Sequence, residues 1–110
     1  ARGRFRTVVA RGEVWWYEHP GAGRRPFVIL TRQAAVPVLN QVMAVPCTRT
    51  RRGIPTEVDL DQQDGMPAPC VASLDNVQLI LPALCSERIT TLGPEQMRAI
   101  CAALHLAIDC

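Results

Sequence analysis

The sequence contains no lysine: all 12 of its basic residues are arginine. A GC-rich genome is enough to produce that bias, and it leaves each arginine free to use its planar fork on a phosphate or a base edge. Net charge is only +2, so the whole-chain balance does not announce a nucleic-acid partner. The five cysteines (Cys47, Cys70, Cys85, Cys101 and Cys110) form no CxxC pair. Their odd number and wide spacing argue against a disulfide framework, and the expectation is reduced, cytoplasmic thiols that fill core. A zinc site needs clustered ligands, and His19 and His105 are the only histidines available to help. No apolar run approaches the roughly 20 residues of a membrane-spanning helix. Ala1 to Ala10 carries Arg2, Arg4 and Arg6 but no apolar stretch suited to a signal peptide. It reads as a basic arm.

At 110 residues and 48% hydrophobic composition, the chain supports one core and is expected to be a single domain over residues 1–110. The first strand is expected from Gly12 to Glu18, where Val14, Trp15, Trp16 and Tyr17 are strong strand formers. Pro20, Gly21 and Gly23 then break the chain into a short loop that ends at Arg24. The apolar run Pro26 to Thr31 gives a second strand. Ala34 to Leu39 is ambiguous, with Pro37 limiting any helical turn. Gln41 to Thr48 makes a third strand, with Pro46 suggesting an edge or a strand end. Arg49 to Pro55 is a basic, turn-prone loop. Thr56 to Leu60 alternates as a strand, Asp61 to Pro69 is a loop, and Cys70–Leu74 and Val77–Leu81 are strands around Asp75-Asn76. Glu87 to Thr91 is the last strand. Pro94 and Glu95 suit the opening turn of a helix. Met97, Ile100, Cys101, Leu104 and Ile108 give that helix one apolar face. Five to seven short strands and one C-terminal amphipathic helix predict a mainly β fold, a small barrel closed or plugged by the helix.

Several segments, taken in order, resemble the MazF/PemK toxin family. They are Arg11-Gly12-Glu13-Val14-Trp15, Arg25-Pro26, Val45-Pro46-Cys47-Thr48, Ile54-Pro55-Thr56-Glu57-Val58 and Ser73-Leu74-Asp75-Asn76-Val77, followed by the helix after Arg88-Ile89. The resemblance runs over nearly all of Arg11 to Cys110. It implies an SH3-like barrel, a homodimer, and sequence-selective cleavage of single-stranded RNA without metal or other cofactor. It also implies a cognate MazE-like antitoxin. The loop from Glu18 to Arg24 is shorter than the loop of many relatives, which leaves the gating of the cleft open.

Metal-free RNA cleavage needs a group to take the proton from the 2′-hydroxyl. It also needs charge stabilisation at phosphorus and a proton for the leaving oxygen. The resemblance assigns Arg25 and Thr48 as catalytic. A guanidinium stays charged, so Arg25 is expected to stabilise the transition state rather than act as a base. Asp75 and Asn76 are candidates for proton transfer or base reading, although such a pair is also common in turns. His19 titrates in the range a general base needs, although a solvated loop histidine is the plainer reading. His105 is expected to be structural. Arg49, Arg51 and Arg52 follow Thr48 and suit backbone phosphates. Trp15 and Trp16 must face opposite ways on a strand. One is expected in the core, the other on a base or at the dimer interface.

Two other functions fit a small barrel. One is a protein-binding toxin similar to the CcdB gyrase poisons, which use aromatic and small residues at the C-terminus. The end here, Leu106 to Cys110, has no Trp. The other is an RNA-binding barrel without catalysis.

Overall fold

The computed structural model describes residues 8–21 and 23–109, so most of the expected basic arm, residues 1–7, lies outside the described residues. Seven strands carry the chain: β1 (Glu13–His19), β2 (Gly23–Ile29), β3 (Val42–Thr48), β4 (Glu57–Leu60), β5 (Cys70–Ser73), β6 (Gln78–Ile80) and β7 (Cys85–Thr91). One helix, α1 (Pro94–Ile108), follows them. The ambiguous segment around Pro37 resolves into a 3-10 turn, Val36–Val38, with the proline in its first turn.

Strand alternation buries both faces of the sheet. Val14, Val28, Leu30, Val45 and Cys47 face a cluster with Leu60, Leu74, Ile100 and Ala103, so α1 covers that side. Tyr17, Phe27, Ile29, Val42, Ala44 and Ile80 face a second cluster that Val9, Val36 and Cys85 complete. The helix begins at Pro94, where no backbone N–H is required, and ends at Asp109, which adopts a left-handed conformation with φ 42°. No helix among the described residues is long and apolar enough to cross a membrane.

The strands run in the order β4-β5-β3-β2-β1-β7, with β6 also on β3. This path is open: among the described residues the ladder does not return from β7 to β4, which departs from the closed barrel expected. Side chains span the gap instead. Thr90 Oγ1 on β7 donates to the Asp64 carbonyl at 3.1 Å, and Gln96 Nε2 on α1 donates to Asp64 Oδ1 at 2.9 Å. Asp64 belongs to the 3-10 turn Gln62–Asp64 between β4 and β5. Gly65 follows it at φ 94°, and a Cβ there would collide with the Thr90 side chain. The turn is thereby tied to both β7 and α1.

Candidate functional site

Two local features build the site. The first is the β1–β2 hairpin, whose pairing extends to His19↔Gly23. The second strand was expected to begin at Pro26, with Arg24 closing the preceding loop. The ladder instead takes both arginines, pairing Glu18↔Arg24 and Tyr17↔Arg25. Their side chains thus project from a rigid strand.

The second feature is an excursion beside β3. Val42, Met43 and Ala44 pair with β6, whereas Cys47 and Thr48 pair with β5. From Ala44 to Cys47 is three steps, but the partner chain runs six, from Gln78 to Ala72. The surplus forms the 3-10 turn Leu74–Asn76. Pro46, which has no N–H to offer, sits in the gap between the two ladders.

Arg25 and Thr48 together border two neighbouring concavities. One, of about 300 Å³, is lined also by Thr50, Arg52, Ser73, Asn76 and Gln78. The other, of about 330 Å³, adds Trp16, Arg24, Arg49, Met66 and Cys70. Four arginines and no carboxylate or histidine line the combined groove. The ion pairs among the described residues are Arg51–Asp59 and Arg88–Glu13, so the groove arginines face it without a carboxylate partner. Arg24 lies 4.3 Å over the Trp16 ring, which orients its guanidinium. Thr48 Oγ1 accepts from the Thr50 N–H at 3.2 Å. That contact uses a lone pair and leaves the hydroxyl proton for an incoming oxygen.

The loop carrying Arg49 and Arg52 is pinned from below. Glu57 Oε1 accepts from the N–H groups of Arg52 and Gly53, each at 3.0 Å, and Oε2 accepts a weaker bond from Arg52 at 3.2 Å. Asn76 Nδ2 donates to Ser73 Oγ at 2.8 Å, which fixes the amide at the groove wall.

Of the residues expected from sequence, the fold brings together Arg25, Thr48, Arg49, Arg52 and Asn76. It does not bring the others to the groove. Arg51 turns back to Asp59, with an N–O distance of 2.9 Å. Asp75 accepts from Thr56 Oγ1 at 2.6 Å and faces an apolar concavity with Met43 and Ile108. The reason is local: in the 3-10 turn Leu74–Asn76 residues three apart share a side, so Asn76 joins Ser73 at the groove while Leu74 and Asp75 face away. His19 stands at the exposed hairpin end, 3.4 Å from the Pro20 carbonyl. His105 is on the exposed side of α1. Trp15 packs toward the second core cluster and donates to Glu13 at 2.9 Å, whereas Trp16 is the groove wall. Sequence reasoning missed Arg24, Thr50, Ser73 and Gln78 as groove residues and Glu57 as the loop's anchor. The run Thr56-Glu57-Val58 held the one usable signal, an acid placed to meet the turn before it. Among the described residues, no three His, Cys, Asp or Glu side chains form a metal-binding group.

This geometry coincides with clear relatives. The profile of the family described as PemK-like, MazF-like toxins of type II toxin–antitoxin systems matches residues 10–108. Probable endoribonuclease MazF5 of Mycobacterium tuberculosis is 45% identical over 105 residues, covering 94% of this chain and 96% of that protein. Endoribonuclease MazF3 of the same species is 39% identical over 85 residues, with 77% and 82% covered. The solved structure of M. tuberculosis toxin MazF-mt6 superposes with a TM-score of 0.80 at 34% identity, covering 88% of this chain and 96% of that one. A mycobacterial endoribonuclease in complex with its cognate antitoxin superposes at 0.82 with 28% identity, covering 92% and 95%. With a match across almost its whole length, the chain belongs to the PemK-like, MazF-like toxins of type II toxin–antitoxin systems.

Proposed function

We propose that this toxin is an endoribonuclease that cuts single-stranded RNA at a phosphate held between Arg25 and Thr48. The observation that carries the reading is their shared position between two concavities lined by four arginines and no carboxylate. The relatives named endoribonuclease support it. The RNA's own 2′-hydroxyl gives its proton to water and attacks the adjacent phosphorus; the bond to the 5′-oxygen breaks, and that oxygen takes a proton from solvent. The products end in a 2′,3′-cyclic phosphate and a 5′-hydroxyl. Charge gathers on the non-bridging oxygens in the transition state. The Arg25 fork meets both of them while remaining protonated, and the Thr48 hydroxyl donates a hydrogen bond to the leaving 5′-oxygen. With no carboxylate or histidine in the lining, charge stabilisation is the protein's main contribution, and no metal-dependent step is invoked.

The two concavities divide the labour of strand binding. Amide groups of Asn76 and Gln78 suit the edges of an unstacked base on one side. Trp16 offers an aromatic plane on the other. Arg24, Arg49 and Arg52 meet the flanking phosphates, which position the strand without reading it. Arg51, Asp75 and His19, held elsewhere, are left out of this mechanism.

The toxin acts as a homodimer. Met43 and Leu79 are cross-strand partners on β3 and β6 and are 44% and 59% exposed. Ile108 of α1 is 58% exposed beside them, and an apolar concavity of about 380 Å³ joins it with Met43, Leu74 and Leu104. An isologous pairing buries this face against its copy. The small-barrel architecture is then the joint product of the curled sheet, the bridging turn at Asp64 and this pairing. A cognate antitoxin restrains the toxin in the cytoplasm. An acidic segment that folds on binding complements the bare arginines of the groove.

A chimeric RNA with one 2′-deoxy position, incubated with the protein in EDTA, is the test. Cutting must stop only at the deoxy position. Cutting there, or loss of all cutting in EDTA, would refute the mechanism.

A further inference from the structure

Cys47 and Cys70 stand against the groove and have no role in the chemistry above. Cys47 precedes Thr48 on β3, and its direct cross-strand partner is Ala72 of β5. Cys70 lies two residues from Ala72, so its side chain points to the same face of the sheet, diagonal to Cys47. Both belong to one buried cluster. Their exposures differ: Cys47 is 3% exposed, and Cys70 is 9% exposed where it joins the wall of the concavity holding Arg25, Thr48 and Arg49. Cys70 borders the groove, and Cys47 lies deeper in the same cluster.

Their chemistry is also unequal. A hydrogen bond from Cys47 lowers the Cys70 pKa against the opposition of burial, with the Arg49 charge assisting and the Asp64 charge opposing. The same bond, together with burial, raises that of Cys47 well above the ordinary thiol range. Cys70 is therefore the member that ionises, and Cys47 keeps the proton. Burial pushes Cys85 up to about 11, which leaves it poorly reactive.

We propose that Cys70 is an oxidant-sensitive modification site, where a peroxide oxidises the sulfur and Cys47 resolves the product into a disulfide that slows RNA cleavage. The Cys70 thiolate attacks one peroxide oxygen. The O–O bond breaks, hydroxide leaves and takes a proton to become water, and Cys70 becomes a sulfenic acid. The Cys47 sulfur then attacks the Cys70 sulfur. The S–O bond breaks, and the departing oxygen takes the Cys47 proton and leaves as water. Two thiols lose two electrons in all, and the peroxide is reduced to two waters.

The bond must move the site. Diagonal residues of a sheet stand roughly 7–8 Å apart, whereas a disulfide needs Cα atoms within about 6–7 Å. Forming it draws the start of β5 toward the end of β3. Both residues lie at strand ends, Cys70 opening β5 and Cys47 next to the last residue of β3. Thr48, next to Cys47, is carried with them and leaves its position against Arg25.

The chemistry of the pair is independent of the RNA reading, and only its effect on cleavage rests on that reading. The full chain, reduced and then treated with hydrogen peroxide, should yield on digestion a peptide joined through Cys47 and Cys70. RNA cleavage by the same sample should fall at least about tenfold, since a 1 Å misplacement at a reacting centre costs up to about a hundredfold, and a thiol reductant should restore it. In Cys47→Ala, Cys70 also loses the hydrogen bond that favours its thiolate, so its oxidation should be slower; with no resolving partner it should end as the sulfinic acid, and the loss should resist the reductant. The peptide map of the wild-type chain decides the matter should that variant fold poorly. Absence of the Cys47–Cys70 link, a link through the exposed Cys101 in its place, or full recovery of oxidised Cys47→Ala would overturn the proposal. A joined protein whose reduced form never cuts RNA would support the thiol site and sink the nuclease reading.

Discussion

The arginine groove and the apolar face around Met43, Leu79 and Ile108 lie on either side of one short segment, residues 75–79. The groove is polar and holds cations that no carboxylate neutralises. The other face is apolar, with Met43, Leu79 and Ile108 exposed among the described residues. Each leaves a different need unmet. Exposed guanidiniums keep their contact with water at little cost, and because they are weakly hydrated they give it up readily for a polyanion. Exposed Leu and Ile cost free energy in water until covered, at about 25 cal/mol for each Å². The contrast teaches that the groove suits a transient ligand and the apolar face a lasting one. Asn76 and Gln78 face the groove while Val77 faces the apolar side, so one backbone segment borders both.

Placing a charge on the apolar face breaks the comparison most severely. Leu79→Arg should cost the pairing about 3–5 kcal/mol by burying an unpaired charge. Light scattering should then report a single chain at a concentration where the wild type is paired. A doubled mass in Leu79→Arg would remove this face from the interface.

Next in size is the chemical step. Arg25→Ala and Thr48→Ala should each lose about 3 kcal/mol of transition-state stabilisation, or on the order of a hundredfold in rate. Both groups are at least partly exposed, so stability should change by less than about 1 kcal/mol. Cleavage rates and denaturant melts on the same preparations check this. Wild-type rates would return both residues to ordinary strand positions.

Arg49→Ala with Arg52→Ala should weaken binding of uncleaved RNA for every sequence alike. The slope of log affinity on log salt should flatten by about 0.7 for each phosphate of a single strand that the variant no longer neutralises. A changed cleavage motif with an unchanged slope would instead make these arginines base readers.

Glu57→Ala removes the anchor of the arginine loop and none of the groove's own groups. RNA affinity should fall by about 1 kcal/mol, from ordering that the loop must then supply on binding. An unchanged affinity would mean that the loop holds its shape without Glu57.

The smallest effect should come from Arg51→Ala. Its ion pair with Asp59 is exposed, with the two side chains 57% and 71% accessible. Its loss should change stability by less than about 1 kcal/mol. Filter binding should show RNA affinity near the wild type, in contrast to Arg52→Ala. An equal loss from both would place Arg51 on the RNA path.

The sequence by itself determined the elements whose causes are local. The run Val14 to Tyr17 and the alternation in Thr56 to Leu60 specify strands, because β-branched and aromatic side chains suit an extended, half-buried backbone. Pro94, Glu95 and the spacing of Met97, Ile100 and Leu104 specify the helix in the same local way. The ordered motifs around Arg25 and Thr48 pointed to the family and to two residues that the fold does bring together. Only the tertiary structure decided which neighbours share the groove. Arg24 and Arg25 became strand residues through hairpin register, which depends on pairing across the turn. Asp75 was turned from the groove by the three extra residues between β5 and β6, a mismatch defined only against β3. The turn at Asp64 is tied to Thr90 and Gln96, residues 26 and 32 positions away. Propensity and alternation act over a few residues, and they set how a segment folds and which way successive side chains point. Register, excursion and closure are contacts between distant segments, and they set what each side chain meets.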